Sequence, residues 1–534
     1  DRQRVEQRRP RLAVDSGAGI TVNSMVGLNE ILTDLDLLAE GAVDLNSNMF
    51  ADRIFVSGQQ GVDLAAETQV IGTDSALLAA GGVSDVDLGG ALVAGDARLL
   101  TTGAGDVNIT GAQNNFLGNT AAQSAGAINI SAAVQAAGSI DMAANGAFNL
   151  NTGGTVIAGL DAVLAADADR TSGVTEHFTM ADNTGVQAGT SLLIHGDNVP
   201  MGDASGLRAT TDPVIHGDGT VALENVSAGI DMNVFGDGDV TLDSAATAVT
   251  AQGDMAIETG GLLDIQNAVA GDGQVLLEAS DGITAGADLG AGLDLILNSP
   301  TTLANGPRGF TSLGGDIRLN DQVAGTQDLS LQAQNGTVFA QVLGTGADPL
   351  GALDIDALAA ELSDDLTVAS VDTTGVGLTT LTGPVAVTAS AGGGTAIALG
   401  NLDGQNSLTL TATSGTGDIA LADADIGSLT IDDADDVDFN GDFATTGDVQ
   451  VGTTEVENIT VAGGGSVAAG GRLAFTADLN ALLNGNVSAG DDLSVRAVDD
   501  ITVQNALLSA GGTLTLAADT NVGTVGDLEI VDST

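Results

Sequence analysis

The 534-residue chain contains no cysteine, tryptophan or tyrosine, and all 13 of its basic residues are arginine. Without cysteine, disulfide bonds cannot stabilise the fold and thiol chemistry is absent. Only 11 phenylalanines remain as aromatic side chains that could stack against sugar rings, which disfavours a carbohydrate-cleaving enzyme. No apolar run reaches the roughly 18 residues needed to span a bilayer, so the sequence predicts no transmembrane helix.

Positive charge is scarce as well, because 71 acidic residues face 13 arginines and the formal net charge is −58. Such a chain repels phosphates, which excludes a role in binding nucleic acid. Hydrophobic residues make up 43% of the chain, which favours a folded protein over an acidic disordered one. A surface of this kind suits a saline or calcium-containing exterior. We therefore expect an extracellular, cell-surface protein with no cofactor and at most weak calcium binding at Gly-Asp turns.

What the chain does contain is a repeat. A short pattern of an apolar residue, Asp or Asn, and a second apolar residue occurs six times in succession, at intervals of about 20 residues. Self-similar units of this period indicate a solenoid. Because side chains alternate along a strand, the apolar residues should stack inside and the central residues should form an outward row. The six central residues are Asp44, Asp63, Asp87, Asn108, Asn129 and Asn149.

Similar units continue to the end of the chain, with alternating runs that begin at Leu473, Leu493 and Leu514. In the middle, comparable strand cores are predicted at Ile230-Asp231-Met232 and Leu263-Asp264-Ile265. These units predict an all-β chain that forms a single right-handed parallel β-helix with coils of about 20 residues.

The predicted domain organisation is simple. Residues 1–19 form an Arg-rich arm and leading segment, and residues 20–534 form a continuous β-helix with a less regular stretch around 165–215. The best candidates for helices, 28–40 and 350–362, are short, and each could instead be a coil with an irregular corner.

Glycine-led units carry a resemblance to a known group of proteins. Gly470, Gly490 and Gly511 introduce units of the type Ala-Gly-x-x-Leu-x-Leu-x-Ala, and Gly-Asp/Ala-apolar-Asn-apolar units follow one another between Gly105 and Asn151. In these units the chain resembles the filamentous-haemagglutinin-like group of secreted bacterial proteins. The resemblance implies a right-handed parallel β-helix, export by an autotransporter or two-partner route, and adhesion. The chain departs from that group in having no Asn-Pro-Asn-Gly type export motif near its start.

The two ends suggest self-association. Five arginines crowd the start of the chain, and they are either a solvated tail or a cationic arm that docks on the acidic surface of a neighbouring copy. The final strand-like residues carry no capping element, so the chain is either a piece of a longer array or stacks end to end with copies of itself. Both features predict a homo-oligomer or filament. The arginines are Arg2, Arg4, Arg8, Arg9 and Arg11.

Two of the three histidines lie one coil apart. Ile194-His195-Gly196-Asp197 and Ile215-His216-Gly217-Asp218 are separated by one repeat, so the two imidazoles should be vertical neighbours. With the two aspartates they could bind zinc or another transition metal. The favoured alternative is a stack of equivalent turn positions in which Gly-Asp serves the corner geometry. We predict no catalytic residue; an active site, if present, would lie near Arg170, Glu176 and His177.

The outward row also has two interpretations: a solvated face with stacked amides, or a lateral interface that bundles copies through bridging cations. The sequence as a whole predicts a non-enzymatic structural protein, an acidic β-helical rod that forms or extends a bacterial surface filament, appendage or adhesin stalk. The alternative is a glycan-active enzyme or a receptor-binding spike built on the same scaffold.

Overall fold

The structure is a computed structural model that describes residues 10–27, 31–111, 114–167, 176–243, 248–413, 417–519 and 526–533. Within these residues every regular element is a β-strand, and the paired strands are parallel. Val107 pairs with Val86 in the coil before it and with Ile128 in the coil after it. The predicted all-β parallel β-helix is therefore confirmed: the protein is a parallel β-solenoid. Its chain divides into two compact units, 1–272 and 273–534.

Unit 1 contains 32 strands among its described residues, most of them three to five residues long. They are β1 (Arg11–Ser16), β2 (Ile20–Val22), β3 (Leu32–Ala39), β4 (Val43–Leu45), β5 (Met49–Gly58), β6 (Val62–Leu64), β7 (Gln69–Ala80), β8 (Val86–Leu88), β9 (Ala91–Thr101), β10 (Val107–Ile109), β11 (Asn114–Phe116), β12 (Thr120–Ser124), β13 (Ile128–Ile130), β14 (Ala133–Ala136), β15 (Ile140–Ala144), β16 (Phe148–Leu150), β17 (Thr155–Ala158), β18 (Ala162–Ala165), β19 (Phe178–Met180), β20 (Gly185–Ala188), β21 (Leu192–Gly196), β22 (Val199–Pro200), β23 (Gly206–Ala209), β24 (Pro213–Gly217), β25 (Val221–Leu223), β26 (Asn225–Ala228), β27 (Met232–Gly236), β28 (Val240–Leu242), β29 (Val249–Ala251), β30 (Met255–Thr259), β31 (Leu263–Ile265) and β32 (Val269–Gly271).

Unit 2 contains a further 30 strands, several of them longer than ten residues. They are β33 (Val275–Ala279), β34 (Ile283–Ala285), β35 (Leu289–Ala291), β36 (Leu295–Leu297), β37 (Thr301–Leu303), β38 (Arg308–Ser312), β39 (Ile317–Leu319), β40 (Val323–Ala324), β41 (Leu329–Ala340), β42 (Leu350–Leu362), β43 (Leu366–Val376), β44 (Thr379–Leu381), β45 (Val385–Ala389), β46 (Gly394–Leu399), β47 (Leu402–Asp403), β48 (Ser407–Ala412), β49 (Gly417–Leu421), β50 (Ala424–Ile426), β51 (Ser428–Phe439), β52 (Asp442–Thr445), β53 (Val449–Val461), β54 (Ser466–Ala469), β55 (Leu473–Ala477), β56 (Asn480–Leu483), β57 (Asn486–Ala489), β58 (Leu493–Ala497), β59 (Ile501–Gln504), β60 (Leu508–Ala510), β61 (Leu514–Ala517) and β62 (Leu528–Val531).

Each full coil contributes strands to three stacked rows. In unit 1, one row runs through β4, β6, β8, β10, β13 and β16, a second through β14, β17, β20 and β23, and a third through β15, β18, β21 and β24. Where a strand is long, it serves two rows: β9 pairs through its first half with β11 and through its second half with β12. In unit 2, β41 pairs in the same way with β38 and β39.

The core of each unit is a column of apolar side chains that alternate with outward residues along every strand. In β10, Val107 and Ile109 are fully buried and Asn108 lies between them on the outer side. Larger side chains stack where coils allow it, as for Phe148 and Phe178, whose ring centroids are 5.0 Å apart. Each coil therefore buries its apolar side chains against its two neighbours, which is how a solenoid accumulates a core.

Both helix candidates are strands. Of 28–40, residues 28–30 lie outside the described residues and Leu32–Ala39 forms β3. The second candidate is β42, in which Leu353, Ile355 and Ala357 are buried while Asp354 and Asp356 are exposed. Burial with a period of two defines a strand, and it overrides the helical propensity of Ala, Leu and Glu.

The strand core predicted at Ile230-Asp231-Met232 is also wrong. Ile230 is 48% exposed and lies in a turn, and the strand begins at Met232. Within the predicted leading segment, β1 already pairs with β3, so strand stacking begins at Arg11 among the described residues. Along the described parts of the chain, no helix offers the length and apolarity that crossing a bilayer demands.

Candidate functional site

The six central residues of the repeat lie directly over one another in one row of unit 1. Register pairs Asp44 with Asp63, Asp63 with Asp87, and each later residue with the next. We call the first three the acid half and the last three the amide half. The acid half is Asp44, Asp63 and Asp87, and the amide half is Asn108, Asn129 and Asn149.

The amide half is a continuous ladder of side-chain hydrogen bonds. Asn149 Nδ2 donates to Asn129 Oδ1 over 2.8 Å, and Asn129 Nδ2 donates to Asn108 Oδ1 over 2.8 Å. The ladder ends where Asn108 Nδ2 donates to Asp87 Oδ1 over 2.7 Å. An amide can continue such a ladder because it carries both a donor and an acceptor, whereas an ionised carboxylate only accepts.

The acid half stacks like charges. Partial burial, and then the negative charges of Asp87 and Asp44, raise the pKa of Asp63 above its usual range. A shallow depression of about 360 Å³ beside this half is lined by Asp44, Asp63, Asp85 and Asp87 together with small and apolar residues. Its charged lining residues are all acidic, and no histidine is among the described residues that line it.

A second acid pattern, not anticipated from the sequence, ties the turns of successive coils together. Asp85 Oδ1 accepts the backbone N–H of Asp106 over 2.8 Å, and Asp106 Oδ1 accepts that of Ala127 over 2.7 Å. Unit 2 repeats the pattern, since Asp294 accepts from Asp316 and Asp316 accepts from Thr337. A carboxylate that accepts a backbone N–H makes a charge-assisted hydrogen bond, so much of the acidity has a structural role.

Hydrogen bonds also shift the pKa of one turn acid, Asp161. Hydrogen bonds from the Thr190 hydroxyl and the Ser191 backbone N–H to Asp161 lower the pKa of that carboxyl group. Of these turn acids, Asp106 and Asp316 follow a glycine, so the Gly-Asp pairs interpreted in the sequence as corner turns or weak calcium ligands contained part of the signal.

The two histidines predicted to be neighbours do meet. His195 in β21 pairs in register with His216 in β24, and their Nδ1 atoms are 3.0 Å apart with ring planes 8° from parallel. His216 Nδ1 lies 3.4 Å from Asp218 Oδ1, and His195 Nε2 lies 4.0 Å from Asp218 Oδ2. These three side chains offer ligand atoms that all lie within 4.8 Å of one another.

Asp197 joins a different set of ligand atoms. Carboxylate oxygens of Asp167, Asp197 and Asp218 also lie within 4.8 Å of one another, so Asp218 is common to both groups. Asp167 was missed in the sequence. It stands two residues after Ala165, which pairs in register with His195, just as Asp197 and Asp218 stand two residues after the paired histidines.

The coil that contains Asp167 is the longest among the described pairs of unit 1. Thr155 pairs with Gly185 and Ala162 pairs with Leu192, whereas in the next coil Leu192 already pairs with Pro213, a much shorter step along the chain. Residues 168–175, which include Arg170, lie outside the described residues. After this gap, the Glu176 backbone N–H donates to Asp197 Oδ2 over 3.2 Å. Asn198 Nδ2 and His177 Nδ1 are hydrogen-bonded over 2.9 Å, and His177 belongs to neither group of ligand atoms.

The arginine arm is described only at its end. Arg11 lies in β1 and forms an ion pair with Asp36, and the same contact raises the pKa of Arg11 above its usual value. Arg2, Arg4, Arg8 and Arg9 lie outside the described residues. The one described arginine of the proposed arm is thus paired within the chain.

Two further features bear on an enzymatic alternative. A groove of about 530 Å³ on unit 1 is lined by Ile157, Gln187, Arg208 and Ser227 together with apolar and small polar residues, and none of its described lining residues is a carboxylate.

The second feature is Glu224, which is only 2% exposed. Burial, followed by the charges of Asp243 and Asp203, raises its pKa. Among the described carboxyl groups whose pKa is raised, Glu224 is the one whose residue is buried.

Comparison with known proteins found no matching family model, no similar curated protein and no similar solved structure. The fold alone therefore classifies the chain, as a parallel β-helix repeat protein.

Proposed function

We propose that this protein is a non-enzymatic structural element of the bacterial cell exterior. It acts as an acidic β-solenoid that forms or extends a surface filament, an appendage or the stalk of an adhesin. In this role the chain transmits force and holds whatever it carries at a fixed distance from the cell. Such a role requires no catalytic site.

The observation that carries the proposal is the repetition of side-chain hydrogen bonds from coil to coil in addition to the backbone ladder. The amide half supports it in unit 1 and the turn acids support it in both units. Each such bond contributes about 0.5–1.5 kcal/mol net, and more where the acceptor is charged. Because each coil is held by its neighbours alone, regular stacking of this kind is the source of stiffness in a solenoid.

The acidic surface fits the same role. A chain with a net charge of −58 repels copies of itself at low salt, which keeps it soluble during export, and added salt or divalent cations screen that repulsion. The proposal includes assembly of copies of this chain into filaments, end to end or side by side.

Electron microscopy of the purified chain, with and without calcium, tests the proposal. Elongated particles or filaments are the expected result, and their width distinguishes end-to-end from lateral assembly. A parallel assay measures depolymerisation of a panel of acidic and neutral polysaccharides, with Glu224→Gln as the matched variant.

Compact, isolated particles that release sugar fragments would contradict the proposal and favour a glycan-active enzyme. Loss of that release in Glu224→Gln would then place the reaction at the buried carboxyl group. Isolated particles that retain a host glycan or protein without cleaving it would favour a receptor-binding spike instead.

A further inference from the structure

We propose that His195, His216 and Asp218 bind one divalent transition-metal ion of the zinc class, and that the carboxylates of Asp197 and Asp167, which group with the same Asp218, add negative charge beside it. The site is independent of the structural role proposed above, since a solenoid can be stiff with or without a bound ion.

The imidazole pair and Asp218 already have spacings close to those of metal ligands. Zinc lies about 2.0–2.2 Å from imidazole nitrogens and carboxylate oxygens, so two ligand atoms on a tetrahedral ion are separated by about 3.3 Å. The two Nδ1 atoms are 3.0 Å apart, and His216 Nδ1 is 3.4 Å from Asp218 Oδ1. For an ion to replace their mutual hydrogen bond, the two histidine rings must turn so that both Nδ1 lone pairs point towards it.

Asp167 provides the independent reason to place a cation here. Its side chain is 3% exposed, and its Oδ1 atom is buried and has no hydrogen-bond partner in the described part of the chain. One carboxylate oxygen of Asp197 and one of Asp218 each lie within 4.8 Å of a carboxylate oxygen of Asp167. Burying a carboxylate without a partner is costly, and crowding it with like charges costs more.

Within the described residues, no arginine forms an ion pair with Asp167, Asp197 or Asp218. A bound divalent cation would supply the missing positive charge at the shared ligand, Asp218. The acid half of the outward row is different, because the described residues that line the depression beside it include no histidine.

The donor set selects the class of ion. Calcium and magnesium prefer oxygen ligands alone, whereas two imidazole nitrogens with carboxylates suit zinc and its first-row neighbours. Asp167, His195 with Asp197, and His216 with Asp218 come from three successive coils. The ion would therefore link the two coils that contain His195 and His216, beside Asp167 of the enlarged coil.

Zinc binding to the full chain is measured by calorimetry in about 0.3 M NaCl with excess calcium, so that diffuse binding to the acidic surface is screened and displaced. Cobalt(II) absorption then reports the coordination geometry. The test variant is His195→Phe/His216→Phe. It keeps ring packing because Phe235 occupies the next position of the same register, paired with His216. Asp167→Asn removes the buried charge, and His177→Gln is the matched control.

We expect one saturable zinc ion per chain, at least tenfold weaker binding in Asp167→Asn, no saturable binding in the double variant, and unchanged binding in His177→Gln. Zinc should also raise the Tm of the wild type but not that of the double variant. The absence of a saturable site, or equal affinity in the wild type and the double variant, would overturn the proposal. Undiminished affinity in Asp167→Asn would show that the buried carboxylate does not contribute to the site, and would overturn that part of the proposal.

Discussion

The acid half and the amide half of the outward row occupy equivalent positions on one set of stacked strands, yet their side chains act in opposite ways. Both halves are flanked by fully buried apolar residues, such as Val62 with Leu64 and Val107 with Ile109. In the amide half each side chain donates to the preceding coil. In the acid half, partial burial and then the like charges of Asp87 and Asp44 raise the pKa of Asp63.

The comparison separates what specifies register from what stabilises it. Register is the same in both halves, so it is specified by the buried residues, because a slip of one residue would turn every apolar side chain outward. The outward residue then adds or subtracts stability without changing the register. An Asn ladder adds to the stability of each coil, whereas an Asp stack reduces it at neutral pH.

The largest expected effect comes from giving the amide half the chemistry of the acid half. In Asn129→Asp, Asn108 Oδ1 loses its donor and faces a half-buried carboxylate, while Asn149 can still donate. We expect the local free energy of unfolding at β10, β13 and β16 to fall by about 2 kcal/mol. Hydrogen exchange of the backbone amides in these strands measures it.

Asn129→Ala is the matched control, because it removes both side-chain hydrogen bonds without adding a charge. It should cost about 1 kcal/mol, less than the aspartate. Protection factors in Asn129→Asp that match or exceed those of the alanine variant would show that the charge is harmless there, and the proposed contrast between the two halves would fail.

The reverse exchange should stabilise the chain by a smaller amount. In Asp63→Asn, two like-charge contacts are removed, and the new amide can donate to Asp44 as Asn108 donates to Asp87. We expect protection in β4, β6 and β8 to rise by about 0.5–1 kcal/mol at pH 7. Asp63→Ala, which removes the charge without providing a donor, should give a smaller gain.

The pH dependence of this gain follows from the direction of the pKa shift. The pKa of Asp63 is higher in the folded chain than in the unfolded one, so between the two values the folded chain binds more protons. The contribution of Asp63 to stability therefore falls as the pH rises from its ordinary pKa, about 3.9, through the raised value. The advantage of Asp63→Asn over the wild type should grow across this window; an advantage already complete at pH 3 would contradict the assignment.

The same comparison explains how far the sequence could predict the molecule. The outward row was predictable because a strict period and alternating burial leave only one arrangement. The sequence left β42 open between a helix and an irregular coil of the solenoid, because Ala, Leu and Glu carry helical propensity, and the exposure of Asp354 and Asp356 resolves the period.

The candidate metal site was predictable in part. His195 and His216 lie one coil apart in the sequence, but Asp167 is brought to them across the enlarged coil, where the regular spacing does not hold. A residue displaced by an insertion carries no periodic signal, so its partners emerge only from the stacked structure.

The smallest expected effect is a response to salt that distinguishes the two halves. Raising NaCl from about 0.05 M to 0.5 M shortens the Debye length from roughly 14 Å to about 4 Å, which screens the exposed charges around Asp63. The difference in protection between Asp63→Asn and the wild type should therefore shrink by a few tenths of a kcal/mol. The difference between Asn129→Ala and the wild type should not change, because it arises from uncharged hydrogen bonds. Equal salt dependence of the two differences would mean that hydrogen bonding, and not charge, distinguishes Asp63 from its amide counterparts.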